Sequence, residues 1–347
     1  GPLSWVVGAN IFEGDAESDF DLRVGPAGGG SVKLSVGFAE YKNTSYGVFG
    51  SMDYEFSERW MLTLGGRYSY EEKENDLSTS SIGVATVSPV PASDSDTWNE
   101  FTPKVTLTYN LDNGIVYGTF ASGFKSGGFN HPLRVGTVIE PETIDMIELG
   151  YKADLTDSLR LTSSLFVYSY KDLQVTKAAS DSATVSTENA TDSDIKGLDV
   201  ALTWAASENL TFQVNAEYLD TEYEDYETAG RAPNTVLTGD PAAIGYGFVF
   251  FNAKGQELLR SPELAVYVAV QYDSQLSIGG REGNLSFNMN YAWKDDYIFD
   301  FEVDPLVDVT QDAHGILNTR ATLTIDKVSV SVWGKNLTDE EYFFLFP

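Results

Sequence analysis

The side chains best suited to bind a ligand surround a Gly-Gly pair in the first half of the chain. Lys125, Phe129, Asn130 and His131 bring a cation, an aromatic face and polar groups into one short stretch. Such a set could bind a small ligand. The simpler interpretation, which we favour, is that Gly127-Gly128 shapes a rigid loop and the other side chains are ordinary surface.

Further candidates are aromatic or cationic. Tyr246 and Phe248 belong to an aromatic group in the longest expected loop, which could stack on sugars but more simply packs on itself. Arg67 and Arg320 stand at polar positions of alternating stretches and could line a binding surface. Pairing with carboxylates is the simpler role for such cations, which also include Lys104, Lys152 and Lys335. The matching carboxylates are Asp53, Glu71, Glu148, Asp199 and Glu217.

Metal and enzyme chemistry find little support in the residues available. Cysteine is absent, so disulfides and thiolate metal sites are excluded. The two histidines, His131 and His314, have no companion at metal-ligand spacing, and the acidic runs lack the glycine pattern of a dedicated calcium loop. A nucleophile, base and orienting group converging on one site are not indicated either. We therefore predict no enzyme, no metal site and no cofactor.

Charge and hydropathy narrow the class of protein. The net charge is −30, from 52 acidic and 22 basic residues, which argues against nucleic acid as a partner. No apolar run approaches the roughly eighteen residues of a membrane-spanning helix. A barrel strand, however, needs only about ten alternating residues, so a membrane protein built of strands is not excluded.

The stretch from Ser193 to Asp220 shows the elements that must carry these residues. Large apolar residues alternate with small or polar ones on both sides of a short polar turn, Ala205–Asn209. Strict period two around a turn predicts an antiparallel hairpin with one apolar and one polar face. Leu202 and Val214 fall on the apolar face, and Thr203 falls on the polar face.

The same pattern recurs through the chain and predicts about thirteen strands. Short turns alternate with long loops, which we expect at Glu13–Lys42, Glu72–Asn99 and Gln174–Asp192, with the longest loop after Tyr223. Loops segregated by length are typical of outer-membrane barrels, with short periplasmic turns and long extracellular loops. We therefore predict an all-β, antiparallel, up-and-down transmembrane β-barrel and consider a soluble all-β fold as the alternative.

Five motifs, in order, resemble one family, the TonB-dependent outer-membrane receptors. They are Ala121–Asn130, Pro141–Thr143 with Glu148–Lys152, Phe166–Val175, Ile195–Asp199 and Trp333–Tyr342. The resemblance implies a barrel of 22 strands around an N-terminal plug. Residues 1–347 would then be a partial barrel domain, with the plug and the last strand absent and the thirteen strands numbered nine to twenty-one.

The resemblance also implies a function. Such a receptor lies in the outer membrane of a Gram-negative bacterium, among lipid and lipopolysaccharide, and imports a scarce nutrient. A ferric siderophore is the first expectation for that nutrient, with a cobalamin-like molecule or an oligosaccharide as others. The expected partners are the receptor's own plug and the TonB-ExbB-ExbD complex, reached through the missing N-terminal part. A passive porin or structural barrel is the alternative, because it fits the periodicity but not the ordered motifs.

Overall fold

Strands dominate the computed structural model, which describes residues 1–24, 32–81, 92–130, 138–178, 185–242, 246–301 and 308–343. Within those ranges no helix is long and apolar enough to cross a membrane, and the helix α1 (Asn234–Thr238) has five residues. The strands are β1 (Leu3–Val24), β2 (Val32–Glu55), β3 (Trp60–Ser81), β4 (Ala92–Asn110), β5 (Gly114–Lys125), β6 (Gly128–Phe129), β7 (Val138–Ile139), β8 (Glu142–Thr156), β9 (Leu159–Ala178), β10 (Val185–Ser207), β11 (Leu210–Tyr223), β12 (Glu227–Pro233), β13 (Tyr246–Asn252), β14 (Leu264–Ile278), β15 (Arg281–Lys294), β16 (Tyr297–Ile298), β17 (Thr310–Gln311), β18 (His314–Ile325) and β19 (Val328–Gly334).

Thirteen of these strands form one antiparallel sheet, which confirms the predicted number. Its order is β1-β2-β3-β4-β5-β8-β9-β10-β11-β14-β15-β18-β19, so each sheet strand pairs with the next one along the chain. The other six strands form three small ribbons, β6 with β7, β12 with β13 and β16 with β17, inside the connections. The topology is therefore up-and-down, as expected.

One end of the sheet carries only tight turns. Gly279 and Gly280 join β14 to β15 with φ values of 61° and 80°, the backbone of a two-residue turn that favours glycine at both positions. At the turn between β2 and β3, the Ser57 hydroxyl accepts hydrogen bonds from the peptide N–H groups of Arg59 and Trp60, at 3.3 and 3.1 Å. Local turn chemistry thus fixes the register of these hairpins.

Ion pairs tie neighbouring segments together at this same end. Arg59 reaches across from one turn to Asp112 in the next, with 2.8 Å between Nη2 and Oδ1. Arg281 and Asp326 similarly link the β14–β15 and β18–β19 turns at 3.5 Å. All four side chains are more than half exposed, so each pair contributes little stability and mainly favours one arrangement of adjacent turns.

At the opposite end, three of the predictions of a long loop were wrong. Strand β1 continues to Val24 and pairs with β2 from Val32 onwards, so most of Glu13–Lys42 is a hairpin. The stretches 72–81 and 92–99 extend β3 and β4, and 174–178 and 185–192 extend β9 and β10. The backbone N–H and C=O groups of these polar residues form hydrogen bonds across the strands. Such pairing requires no apolar face, because both faces of the hairpin are in water.

The two faces of the sheet differ in polarity, as predicted. Register aligns apolar side chains across strands, for example Leu202 opposite Val214, then Val268, then Tyr291. Large apolar side chains on this face stay exposed, with Val268 at 40% and Tyr291 at 39%. An exposed apolar band that continues from strand to strand fits contact with lipid rather than water.

A small apolar core lies at the long-loop end of the sheet. Tyr223, Tyr226, Ala253 and Phe301 are buried together, with ring centroids of Tyr223 and Tyr226 4.9 Å apart. Phe251 meets Phe301 edge to face at 5.5 Å. Burial raises the pKa of the Tyr223 phenol to about 12 and raises that of Tyr226 as well. The connections after β11 and β15 are therefore packed on one another.

Candidate functional site

The polar face of the sheet divides into regions of different charge. Glu148, Asp199 and Glu217 lie on β8, β10 and β11, and register places Glu217 directly opposite Asp199. Phe166, buried beside Gly197, and the stacked Tyr168 lie on the same face of β9. This part of the wall is acidic and aromatic.

The predicted ion pairs on this face are not formed. In the described part of the chain, none of the five predicted cations lies within ion-pair distance of the five predicted carboxylates. Lys152 instead lies 5.2 Å from the ring centroid of Tyr117. Arg67 donates from Nε to the Ser69 hydroxyl at 2.8 Å and stands 5.9 Å from the centre of the Phe49 ring. A shared polar face was therefore not enough to bring these cations within reach of the carboxylates, even where both lie on one strand, as Lys152 and Glu148 do on β8.

Amides form a continuous ladder on the polar face of β14, β15 and β18. Each side-chain amide donates to the carbonyl oxygen of the next, and the bonds run from Asn318 to Asn290 (3.1 Å), from Asn290 to Asn288 (3.2 Å) and from Asn288 to Gln271 (3.2 Å). Gln271 donates in turn to the Asp273 carboxylate and the Ser286 hydroxyl, both at 2.9 Å. All the donors point the same way along the wall.

The glycine-centred loop after β5 is held against the polar face by Glu71 and by two residues that the sequence did not single out, Lys73 and Gln174. Ser126 donates to Glu71 at 2.6 Å, and Lys73 donates to the Ser126 hydroxyl and to the Gly127 carbonyl, the latter at 2.7 Å. Gln174 donates from its amide to the carbonyl oxygens of Ser126 and Glu140, at 3.1 and 3.0 Å. Lys73 and Gln174 fall in stretches that polarity assigned to loops, which is why they were missed, whereas Glu71 was expected to pair with a lumen cation.

Glycine is required at one position of this loop. A Cβ on Gly127 would collide with the Ile139 carbonyl oxygen and would lie 2.5 Å from two atoms of the Trp98 indole. A Cβ on Gly128 would meet nothing within 4 Å. The close approach at Gly127 lets the loop lie on Trp98, which supports Gly127, but not Gly128, as the residue that shapes the loop.

The predicted ligand residues of this loop have mostly structural contacts. Asn130 exchanges two hydrogen bonds with the backbone of Thr187 on β10, at 2.6 and 2.7 Å. The Phe129 ring packs 5.8 Å from Trp98. Lys125 is 60% exposed and lies 3.7 Å from the Glu142 carboxylate, so its ammonium group stays accessible. His131 lies outside the described residues.

The remaining candidates are widely separated. Tyr246 and Phe248 lie in β13, whose backbone pairs with β12, and their side chains fall outside the described part of the structure. Arg67 on β3 and Arg320 on β18 are separated by nine strand-to-strand steps along the sheet. The structure therefore does not join the predicted residues into a single site.

The segment after β19 folds back on the sheet through one asparagine. Asn336 has a left-handed φ of 48°, accepts a bond from the Glu340 N–H at 2.9 Å and donates from its peptide N–H to Asn318 at 3.1 Å. Tyr342 stacks on the buried His314 ring at 5.0 Å. Among the described residues, no group of three or more His, Asp or Glu side chains could hold a metal ion.

The family is decided by comparison over nearly the whole chain. The model of the β-barrel of TonB-dependent receptor-like proteins matches residues 3–337. This chain belongs to that family. In a TonB-dependent receptor barrel the apolar face meets lipid and the polar face lines the lumen, while the tight turns are periplasmic and the long connections extracellular. The amide ladder and the three carboxylates therefore belong to the lumen wall.

Solved receptors share this fold. The ferric yersiniabactin uptake receptor FyuA from Yersinia pestis matches with a TM-score of 0.74 and 15% identity, over 99% of this chain and 47% of that one. The ferric-catecholate import receptor Fiu from E. coli K12 gives 0.68 and 15%, over 98% and 48%. The siderophore receptor PiuA from Acinetobacter baumannii gives 0.64 and 17%, over 90% and 41%. The chain thus spans about half the length of the receptors it matches.

Proposed function

We propose that this chain is part of the barrel of an outer-membrane receptor that imports a scarce extracellular nutrient with energy delivered by TonB. Membership of the TonB-dependent receptor family across residues 3–337 carries the proposal. The three solved receptors are named for uptake or import of iron chelates or for siderophores. A ferric siderophore is accordingly our first candidate for the ligand, ahead of a cobalamin-like molecule or an oligosaccharide.

The proposed mechanism needs binding and movement rather than bond-making residues. Extracellular loops, including the one anchored on Trp98, capture the ligand at the mouth of the lumen. The plug then moves when the TonB-ExbB-ExbD complex delivers energy from the inner membrane, and the ligand passes along the lumen wall. Lipid and lipopolysaccharide surround the apolar face in the outer membrane of a Gram-negative bacterium.

The acidic part of the lumen wall supports a plug as partner. Glu148, Asp199 and Glu217 have no cation within ion-pair distance in the described residues. Lys152 and Lys294 line the same cavity as Asp199 and Glu217, but beyond ion-pair distance. Carboxylates that lack a direct ion-pair partner favour a further cationic neighbour. We propose that basic side chains of the plug, which the resemblance places inside the barrel, supply that neighbour.

The test is uptake of radioactive iron presented as a panel of ferric siderophores. Cells that lack the whole receptor, cells that have it and cells that have it without TonB are compared at nanomolar substrate. We expect uptake of at least one chelate only where both the receptor and TonB are present. Uptake that persists without TonB and rises linearly with concentration would refute the proposal and favour the passive porin.

A further inference from the structure

Two cations share one patch of lumen wall, on β18 and just beyond β19. Among the described residues, the Arg320 guanidinium has one hydrogen bond, from Nη2 to the Ser331 hydroxyl at 3.3 Å. Within the described ranges no carboxylate lies within ion-pair distance of Arg320 or of Lys335. Both charges are therefore available to a partner from outside this part of the chain.

An aromatic ring and amide donors complete the patch. Trp333, on the edge strand β19, lies directly opposite Arg320 in the register and lines the same cavity. Asn290 and Asn318 each commit one amide hydrogen to the ladder, and the other has no partner in the described structure. A cavity of about 610 Å³ is lined by Asn288, Asn290, Asn318, Arg320, Trp333 and Lys335.

The charges on this part of the lumen wall favour an anion. The lumen carboxylates Glu148, Asp199 and Glu217 lie on β8, β10 and β11, whereas this cavity lies on β15 and β18 and beside β19. A guanidinium matches the planar fork of a carboxylate, and an ammonium and two amide hydrogens add further donors. A cationic ligand would be repelled, and a neutral sugar would leave both charges unpaired.

We propose that this cavity binds the carboxylate groups of the transported ligand on its way through the lumen. The proposal rests on the proposed transport function and names the ligand as a carboxylate-bearing small molecule. Arg320 binds one carboxylate through its fork, Lys335 offsets a second negative charge, and Trp333 covers the carbon skeleton. Asp or Glu side chains of the plug have the same chemistry, so the experiment must separate the two sources.

The experiment measures binding to the whole purified receptor in detergent by titration calorimetry. The probes are tricarballylate, a flexible tricarboxylate, and its uncharged trimethyl ester. We expect the acid to bind and the ester not to bind. Arg320→Gln should weaken tricarballylate binding roughly tenfold or more, as loss of a hydrogen bond to a charged group requires. Lys335→Gln should weaken it less, and Lys104→Gln, which removes a lumen cation on β4, should leave it unchanged.

Thermal unfolding of the same variants identifies the source of the carboxylate. Tricarballylate binding that depends on Arg320, with an unchanged melting temperature for Arg320→Gln, supports the ligand site. Absence of tricarballylate binding would overturn the inference, and a lower melting temperature for Arg320→Gln would then assign the cations to the plug. Equal binding by wild type and Arg320→Gln would overturn it too.

The uptake assay keeps this inference separate from the proposed function. TonB-dependent uptake together with Arg320-independent binding would leave the transporter standing and remove the carboxylate site. Arg320-dependent binding without TonB-dependent uptake would support the carboxylate site and refute the transport function.

Discussion

A single methyl group at Gly127 should release the loop that lies on Trp98. A Cβ there would overlap the Ile139 carbonyl oxygen and crowd the indole at 2.5 Å, and both neighbours are held by the sheet or by its loop ribbon. Overpacking of this kind costs about 1–3 kcal/mol. We expect Gly127→Ala to relieve the overlap by lifting the loop, which would break the bonds from Lys73 and from Asn130.

Hydrogen exchange at Thr187 reports this movement, because its peptide N–H donates to Asn130 at 2.7 Å. A cost of about 1–3 kcal/mol on the closed loop should speed exchange at that amide roughly 5- to 150-fold. Gly128→Ala is the matched control, because its Cβ meets nothing within 4 Å. Equal protection of Thr187 in the two variants would refute the argument that close approach fixes the glycine.

Three further predictions concern the lipid face, the extracellular core and the segment after β19. Leu202→Arg should destabilise the receptor in bilayers by about 2–4 kcal/mol in a urea titration, whereas Thr203→Arg on the lumen face should be mild; equal effects would contradict the assignment of faces. The neutral Tyr223 phenol has a pKa of about 12, above the unfolded value of about 10, so its stabilisation is complete below pH 10 and lost as pH rises through 12. Absorbance at 295 nm should show a late titration whose amplitude Tyr223→Phe lowers without abolishing it, because burial raises the pKa of Tyr41 to about 12 as well; an unchanged amplitude would contradict the assignment. Asn336→Ala should expose the segment to limited proteolysis by costing about 1–3 kcal/mol in unpaired polar groups, and the exposed Glu341→Ala should not.

Periodicity predicted the fold well because alternation is imposed by the environment of each strand. Leu202 and Val214 had to face one way and Thr203 the other, and the register confirms both assignments. The same signal fails where a hairpin leaves the membrane, since both faces then meet water. Lys73 was missed for that reason, although it anchors the glycine-centred loop.

The candidate site was less predictable because it depends on contacts between distant strands. Arg67 and Arg320 do lie on the polar face, but nothing in their local sequence shows that nine strand steps separate them. Asn130 looked like a ligand residue, yet its amide is occupied by a hairpin 57 residues away. The role of the predicted ligand residues stays a prediction until binding is measured.

The amide ladder carries a chemical vulnerability at one of its atoms. The direction of its hydrogen bonds is fixed at both ends, because the Asn336 peptide N–H can only donate and the Asp273 carboxylate can only accept. Deamidation of Asn318 would exchange a nitrogen for an oxygen, remove the donor to Asn290 and place a negative charge in the cavity beside Arg320. Spontaneous deamidation of this one side chain would thus place a carboxylate in the cavity and exclude an incoming anion while the fold stays intact.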